Sequence, residues 1–275
     1  MKRSQLAINS VSTRHKSLPQ MLDAYRAAGF RNVEFCLPHV KASLAKGGSA
    51  AQVKQLLDER ELTCIGGFQG SVHAFGDTAS RATANDDVIA NAELLAALGA
   101  TTMVVGTDGP SDAERNGDVL GRYAEAFAEI ADRIKPTGVT VCIEFNWSPL
   151  VKSVRTAAEI ARRSGADNVG VLFDPAHYHC TPSKLEQLTA DTVAMIRHVH
   201  VDDMRDKPAE LSDCNSDRVL PGQGHLDLPG LLGRIEAHGY EGYFSIEMFN
   251  EALWNLPAEQ AARQMYQSML PLCDD

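Results

Sequence analysis

The sequence predicts a single (β/α)8 barrel over residues 1–275. Three observations carry that expectation: short β-rich runs recur eight times, helical patterns separate them, and glycine punctuates the helix ends. The β-rich runs lie at 5–11, 32–37, 63–68, 101–106, 139–145, 169–174, 198–202 and 243–249. Their spacing averages about one βα unit of 30 or more residues. Apolar residues recur with helical periodicity at 18–28, 51–60, 86–98, 119–134, 156–163 and 258–270. Gly29, Gly99, Gly138, Gly165 and Gly239 each follow a last apolar turn just before the next β-rich run, where a left-handed residue ends a helix.

Strict alternation implies a parallel sheet covered by helices, and eight repeats match a closed barrel better than an open sheet. The open, doubly wound sheet is the runner-up. It would need a glycine-rich phosphate loop after the first strand, and residues 10–17 contain no glycine. The clusters at Gly66–Gly67 and Gly106 to Gly109 read as turns in βα loops, with no dinucleotide cofactor assigned. One stretch, 204–224, is irregular and rich in Pro, Gly, Asp and Ser. A loop that long inside a compact domain is usually functional.

Composition narrows the function. With 44% apolar and 23% charged residues, the chain can bury a sizeable core. A formal charge of -10 argues against a nucleic-acid partner, whose phosphates require a basic face. No run approaches the roughly 18 apolar residues of a membrane span. Polar residues interrupt the basic opening MKRSQLAINSVSTRHKSL, so no secretory signal is expected. Six scattered cysteines without a CxxC pair fit a reducing compartment, and the expected location is the cytoplasm.

In a barrel the reactive groups gather where strands end. The fifth run ends VCIEFN with Glu144 and the sixth ends VLFDPAH with Asp174. The seventh reads HVHVDD around His200, and the eighth FSIEMF with Glu247. A carboxylate inside an apolar strand must be paired, hydrogen-bonded or metal-bound, because burying it alone costs several kcal/mol. Adjacent strands lie about 4.8 Å apart, so four such groups on consecutive strands can converge on one cation. Three carboxylates and one imidazole suit Mn2+, Mg2+ or Co2+ better than a thiolate zinc site. Arg205 and Asp203 open the long loop, where a cation could meet a substrate carboxylate or hydroxyl; a surface salt bridge is the equal alternative. Trp147 is expected to wall the substrate pocket, whereas Phe68 is assigned to ordinary core packing. The aromatic-bearing segment 248–256 is expected to be exposed and to serve a homodimer or homotetramer contact.

The chain resembles the xylose isomerase-like barrel superfamily, with its hydroxypyruvate isomerase, ketose 3-epimerase and inosose dehydratase relatives. The resemblance rests on Val33-Glu34-Phe35, Ile143-Glu144, Phe173-Asp174 with His177, and His198-Val199-His200. Pro221-Gly-Gln-Gly224 with Asp227, and the run Gly242 to Glu247, complete it. It implies one divalent metal, Mn2+ foremost with Zn2+ also admissible, held by Glu144, Asp174, His200 and Glu247. It makes Glu144 and Glu247 the acid/base pair, selects His200 over His198 as the ligand, and gives His177 a substrate oxygen. Glu34 and His73 fall where relatives place substrate-pocket groups.

The implied activity is isomerisation or epimerisation of a small polyhydroxy carbonyl substrate through an enediolate. A dehydratase acting on an inosose- or dehydroshikimate-like substrate is the alternative, and an endonuclease IV-like repair enzyme a minor one. Ketose 3-epimerases carry a glutamate and an arginine six residues after the first metal glutamate and the metal histidine. Leu150 and Asp206 stand there, which argues against epimerisation of free ketohexoses.

Overall fold

The computed structural model describes residues 1–146 and 148–274. Eight strands form one closed parallel barrel: β1 (Leu6–Asn9), β2 (Asn32–Cys36), β3 (Thr63–Val72), β4 (Thr102–Thr107), β5 (Thr140–Glu144), β6 (Val169–Phe173), β7 (Ile196–Val201) and β8 (Phe244–Ile246). Each strand pairs with its neighbours in the chain, and β8 returns to β1 with Ile8 opposite Ile246. The strands read as continuous apolar runs because both faces are covered; every residue of β6 is buried.

The helices in chain order are α1 (Leu18–Ala28), α2 (Leu37–Leu44), α3 (Ala50–Asp58), α4 (Thr78–Ala97), α5 (Val119–Ile134), α6 (Val154–Ser164), α7 (Pro175–Cys180), α8 (Ala190–Val193), α9 (Leu228–Ala237), α10 (Glu251–Asn255) and α11 (Ala258–Met269). On α5, Tyr123, Phe127, Ile130 and Ile134 recur every three or four residues and are buried. Truncating the fully buried Phe127 to Ala would cost about 3–5 kcal/mol. None of the described helices is long and apolar enough to cross a membrane.

All eight strands and the six expected helices are present, with informative differences. Helix α4 starts at Thr78, eight residues before its apolar pattern, because the Asp77 side chain accepts the Ser80 N–H at 3.0 Å and starts a polar first turn. The shorter helices α2, α7, α8 and α10 offer too few turns for periodicity to register. Gly66 and Gly67 lie inside β3 rather than in a turn. A Cβ on Gly67 would come within 2.7 Å of the Phe35 carbonyl oxygen, so close strand packing is what needs glycine there.

The stretch after β7 begins as a two-residue antiparallel ribbon, Asp203 and Met204 against Val219 and Arg218. The 248–256 segment is not an exposed patch: Met248 and Leu253 are buried, and the Trp254 indole N–H donates to the Val11 carbonyl at 2.8 Å.

Candidate metal centre and substrate cavity

The site grows from alternation within β7. His198 and His200, two residues apart, point to the same side and enter the barrel with their rings 5.3 Å apart. From β2, the fully buried Glu34 meets both: its carboxylate lies 3.1 Å from His198 Nε2 and accepts His200 Nε2–H at 3.0 Å. Burial would raise the Glu34 pKa, but the charges of His200 and His198 and their hydrogen bonds hold it well below the usual range.

The other nitrogen of His200, Nδ1, faces Asp174 Oδ2 at 3.3 Å and Glu247 Oε2 at 3.2 Å. Asp174 ends β6 and caps α7. Its Oδ1 accepts the His177 N–H at 2.9 Å, which turns Oδ2 toward the centre. Glu247 follows β8, with Oε1 accepting from Asn9 Nδ2 at 3.0 Å. Burial alone would lower the His200 pKa, yet Glu247, Glu34 and Asp174 together hold it well above the ordinary histidine value.

This geometry fits a divalent cation. A carboxylate accepts only, so Glu34 takes the Nε2 proton of His200 and leaves the Nδ1 lone pair aimed at two further carboxylates. That contact is repulsive unless a proton or a cation stands between them. Ligands about 2.1 Å from one ion and at right angles to each other lie about 3 Å apart, close to the spacings around Nδ1. One ligand atom each from Asp174, His200 and Glu247 lies within 4.8 Å of the others, and Glu34 would complete a carboxylate–histidine–metal relay around an ion held there. Glu144 stands outside that trio. Its Oε1 receives His177 Nε2–H at 3.0 Å and its Oε2 receives Asn146 Nδ2–H at 2.9 Å.

The centre opens into a cavity of about 460 Å³ at the C-terminal mouth of the barrel, lined by Glu144, His177, His200 and Glu247. His177 sits on the first turn of α7, where burial would lower its pKa; Asp174, Cys214 and Glu144 hold it well above the ordinary value. Phe68 lines the cavity instead of lying wholly in the core, although it also packs against Val104 and Leu172.

Three expected substrate contacts lie elsewhere. Glu34 is sealed beneath the cavity floor, holding the histidines. His73 lines a separate cavity of about 240 Å³ between α4 and α5, its backbone bonded to Asn85. Arg205 is 58% exposed and faces Asp217 at 3.8 Å, so it is the surface ion pair. Asp203 spends its carboxylate on backbone N–H groups of Gly222, Gly224 and Leu226, folding the Pro221–Gly224 turn onto the ribbon. Trp147 lies outside the described residues.

The unanticipated residue is Arg218. It enters from the second strand of the ribbon, is fully buried, and contacts Asp202 at 2.6 Å, Glu247 at 3.0 Å and Asp174 at 3.1 Å. Burial would lower its pKa, but Asp174, Asp202 and Glu247 push it far above the usual arginine value. A loop arginine reads as solvated in sequence, and no periodicity marks it. Asn9 was findable, being a polar residue that ends an apolar strand in the same way as Glu144.

Comparison with known proteins fits this architecture. Residues 22–271 match the family model described as xylose isomerase-like TIM barrel. An inosose isomerase of Bacillus velezensis is 35% identical over 143 residues, which cover 51% of this chain and 50% of that protein. A 3-dehydroshikimate dehydratase of Pseudomonas putida is 27% identical over 265 residues, covering 93% of this chain and 40% of that protein. The chain thus spans about half or less of the length of these curated relatives. A crystal structure of the IOLI protein with a bound zinc atom superposes with a TM-score of 0.86 at 22% identity, covering 98% of this chain and 97% of that one, a likeness of fold.

Proposed function

Because the chain belongs to the xylose isomerase-like TIM barrel family, we propose that it is a divalent-metal-dependent enzyme that moves a proton next to the carbonyl of a small polyhydroxylated substrate, as an isomerase or epimerase. The observation that carries this reading is His200. One of its nitrogens is committed to Glu34, while the other faces Asp174 and Glu247 at cation-ligand spacing on the floor of a cavity. Asp174, His200 and Glu247 would hold the ion, with Glu144 beside them on the cavity wall. Mn2+ is the expected metal on its oxygen-rich donor set. When bound, such an ion supplies the positive charge that stabilises the enediolate left by deprotonation.

The protein groups then divide the work. Glu144 is the base: burial would raise its pKa, but the hydrogen bond and charge of His177 keep it below the usual value, so it is a carboxylate at neutral pH. Its side chain is 22% exposed against 4% for Glu247, so it meets the substrate more openly. His177 Nε2–H orients Glu144 and can release it to serve a substrate oxygen. Glu247, fixed by Asn9 and Arg218, is the second carboxylate through which the proton returns.

A lyase reading draws on the dehydratase relative aligned along 93% of the chain. The same first deprotonation followed by loss of a β-hydroxyl would expel water. Both readings are tested with Mn2+-loaded protein, ketoses and inososes in D2O. Deuterium incorporation without loss of water marks isomerisation or epimerisation, and an ultraviolet-absorbing conjugated product marks dehydration. Glu144→Gln should slow exchange by roughly 10²- to 10⁴-fold. Undiminished exchange in that variant, or protein purified without chelator that binds no metal, would overturn the proposal.

A further inference from the structure

We propose that the cavity between α4 and α5 is a second binding site, for a short aliphatic amino acid held as a zwitterion. Its carboxylate would meet Arg81 and Arg122, and its ammonium Glu125 and Glu129. All four side chains line this cavity of about 240 Å³ in the outer helical layer, and none of them lines the barrel-mouth cavity. The site is independent of the enolisation reading.

The anionic end is set by two arginines that converge on one acceptor. Arg122 Nη2 donates to the Ala74 carbonyl at 3.0 Å, and Arg81 Nη1 reaches the same oxygen at 3.5 Å. Two guanidinium groups sharing one carbonyl repel each other unless an anion offsets them. Glu114 serves Arg122, at 3.4 Å, and Arg122 is further fixed with its guanidinium 4.2 Å from the Phe75 ring centroid. Arg81, half-buried, has only its long bond to Ala74; its Nε is shielded from water and has no partner among the described residues. A planar carboxylate accepts parallel N–H groups from such a fork.

The cationic end follows from helix geometry. Arg122, Glu125 and Glu129 share one face of α5, and the rise of about 1.5 Å per residue sets the two acids about 5 and 10 Å along the axis from Arg122. The cations near them are engaged elsewhere. Arg133 is held by Asp86 at 2.7 Å, and Arg163, whose charge Glu125 also feels, is paired with Asp118. Ala126 and Ile130 line the cavity beside the acids and offer methylenes an apolar strip.

The whole lining is close to balanced in charge but segregated. Arg81, Arg122 and Arg133 stand against Glu125 and Glu129 on the lining and against Glu114 and Asp86, their ion-pair partners; His73 is the remaining titratable group. A ligand without net charge but with separated ends matches that pattern, whereas a phosphate dianion would bring doubled charge toward the two acids.

The experiment uses 5-aminopentanoate, pentanoate and pentylamine, which share a five-carbon chain and differ in their charged ends. Binding to the intact, metal-free protein is followed by NMR, with the Arg81 side-chain N–H signal assigned by its loss in Arg81→Gln. The expected result is that 5-aminopentanoate shifts that signal and binds roughly two- to fivefold tighter than pentanoate, since the acids are exposed. Pentylamine, lacking the arginine contact, should be weaker by roughly tenfold or more. Arg81→Gln should weaken 5-aminopentanoate by roughly tenfold, and Glu129→Gln should bring it toward pentanoate. Arg81→Lys keeps the charge without the fork, should fall between wild type and Arg81→Gln, and carries the test if the glutamine variant does not fold. Affinity unchanged by the Arg81 substitution would place the ligand elsewhere and overturn the proposal. Pentanoate or pentylamine binding as tightly as 5-aminopentanoate overturns it too, as does no binding at millimolar concentration.

Discussion

Two parts of the barrel mouth bury charge by different routes. Glu34 faces both His198 and His200 across the interior from β2 and β7, with every member anchored in a strand. Arg218 instead arrives from a two-residue ribbon outside the barrel and reaches Asp174, Asp202 and Glu247 only once the 203–219 segment has folded back on itself. The first group is placed by strand alternation. The second depends on loop closure, secured by Asp203 accepting the N–H groups of Gly222, Gly224 and Leu226. The same chemistry, a buried ion network, is therefore rigid on one side and contingent on the other.

The sharpest way to break that comparison is at Arg218. Arg218→Met leaves three buried carboxylates without their cation, and should cost about 3–5 kcal/mol in urea unfolding of the metal-free protein, with Arg218→Lys recovering part of it. A loss under about 1 kcal/mol would mean that the loop network is not structurally coupled to the barrel. Glu34→Gln tests the strand-borne group. It keeps the shape but weakens the hold on His200, so Mn2+ affinity should fall by roughly 10- to 100-fold in calorimetric titration while the fold persists. Affinity left unchanged would remove Glu34 from the centre.

A pH series separates proton from metal at His200. Its pKa lies well above the ordinary value in the metal-free protein, so the lone pair a metal needs is blocked by a proton at low pH and freed as pH rises through that raised value. Mn2+ affinity should therefore climb with pH, by about tenfold per pH unit while one proton is displaced. A flat profile from pH 6 to 8 would exclude that competition. The smallest effects belong to residues the fold sets aside: Arg205→Ala and His73→Ala should each change stability by less than about 0.5 kcal/mol and leave exchange rates within about twofold. A large loss of exchange in Arg205→Ala would reinstate it as a substrate contact.

Much of this was legible in one dimension. The eight strands were visible because a parallel barrel covers both faces of each strand, turning it into a short apolar run such as VGVLF in β6. Helices α1 and α5 were readable to their ends because each is long enough to show an apolar face. Glu144, Asp174, His200 and Glu247 stood out as polar residues ending apolar runs, and all four reach one cavity or its floor. Helix α7 escaped notice because six residues hold too little periodicity, although its Asp174 cap and Pro175 were in plain view.

What the amino-acid sequence determined by itself is thus the repeating βα architecture and the chemical character of the strand ends, since periodicity and burial cost act locally along the chain. What the tertiary structure alone decided is partnership. It placed Glu34 under the histidines instead of in the pocket, set Glu144 on His177 and apart from the Asp174, His200 and Glu247 trio, and drew Arg218 from a polar loop into the floor of the site. The physical reason is that which charges neutralise one another depends on distances across the barrel, fixed by strand register and loop closure between residues as far apart as 34 and 200, and no local pattern encodes them.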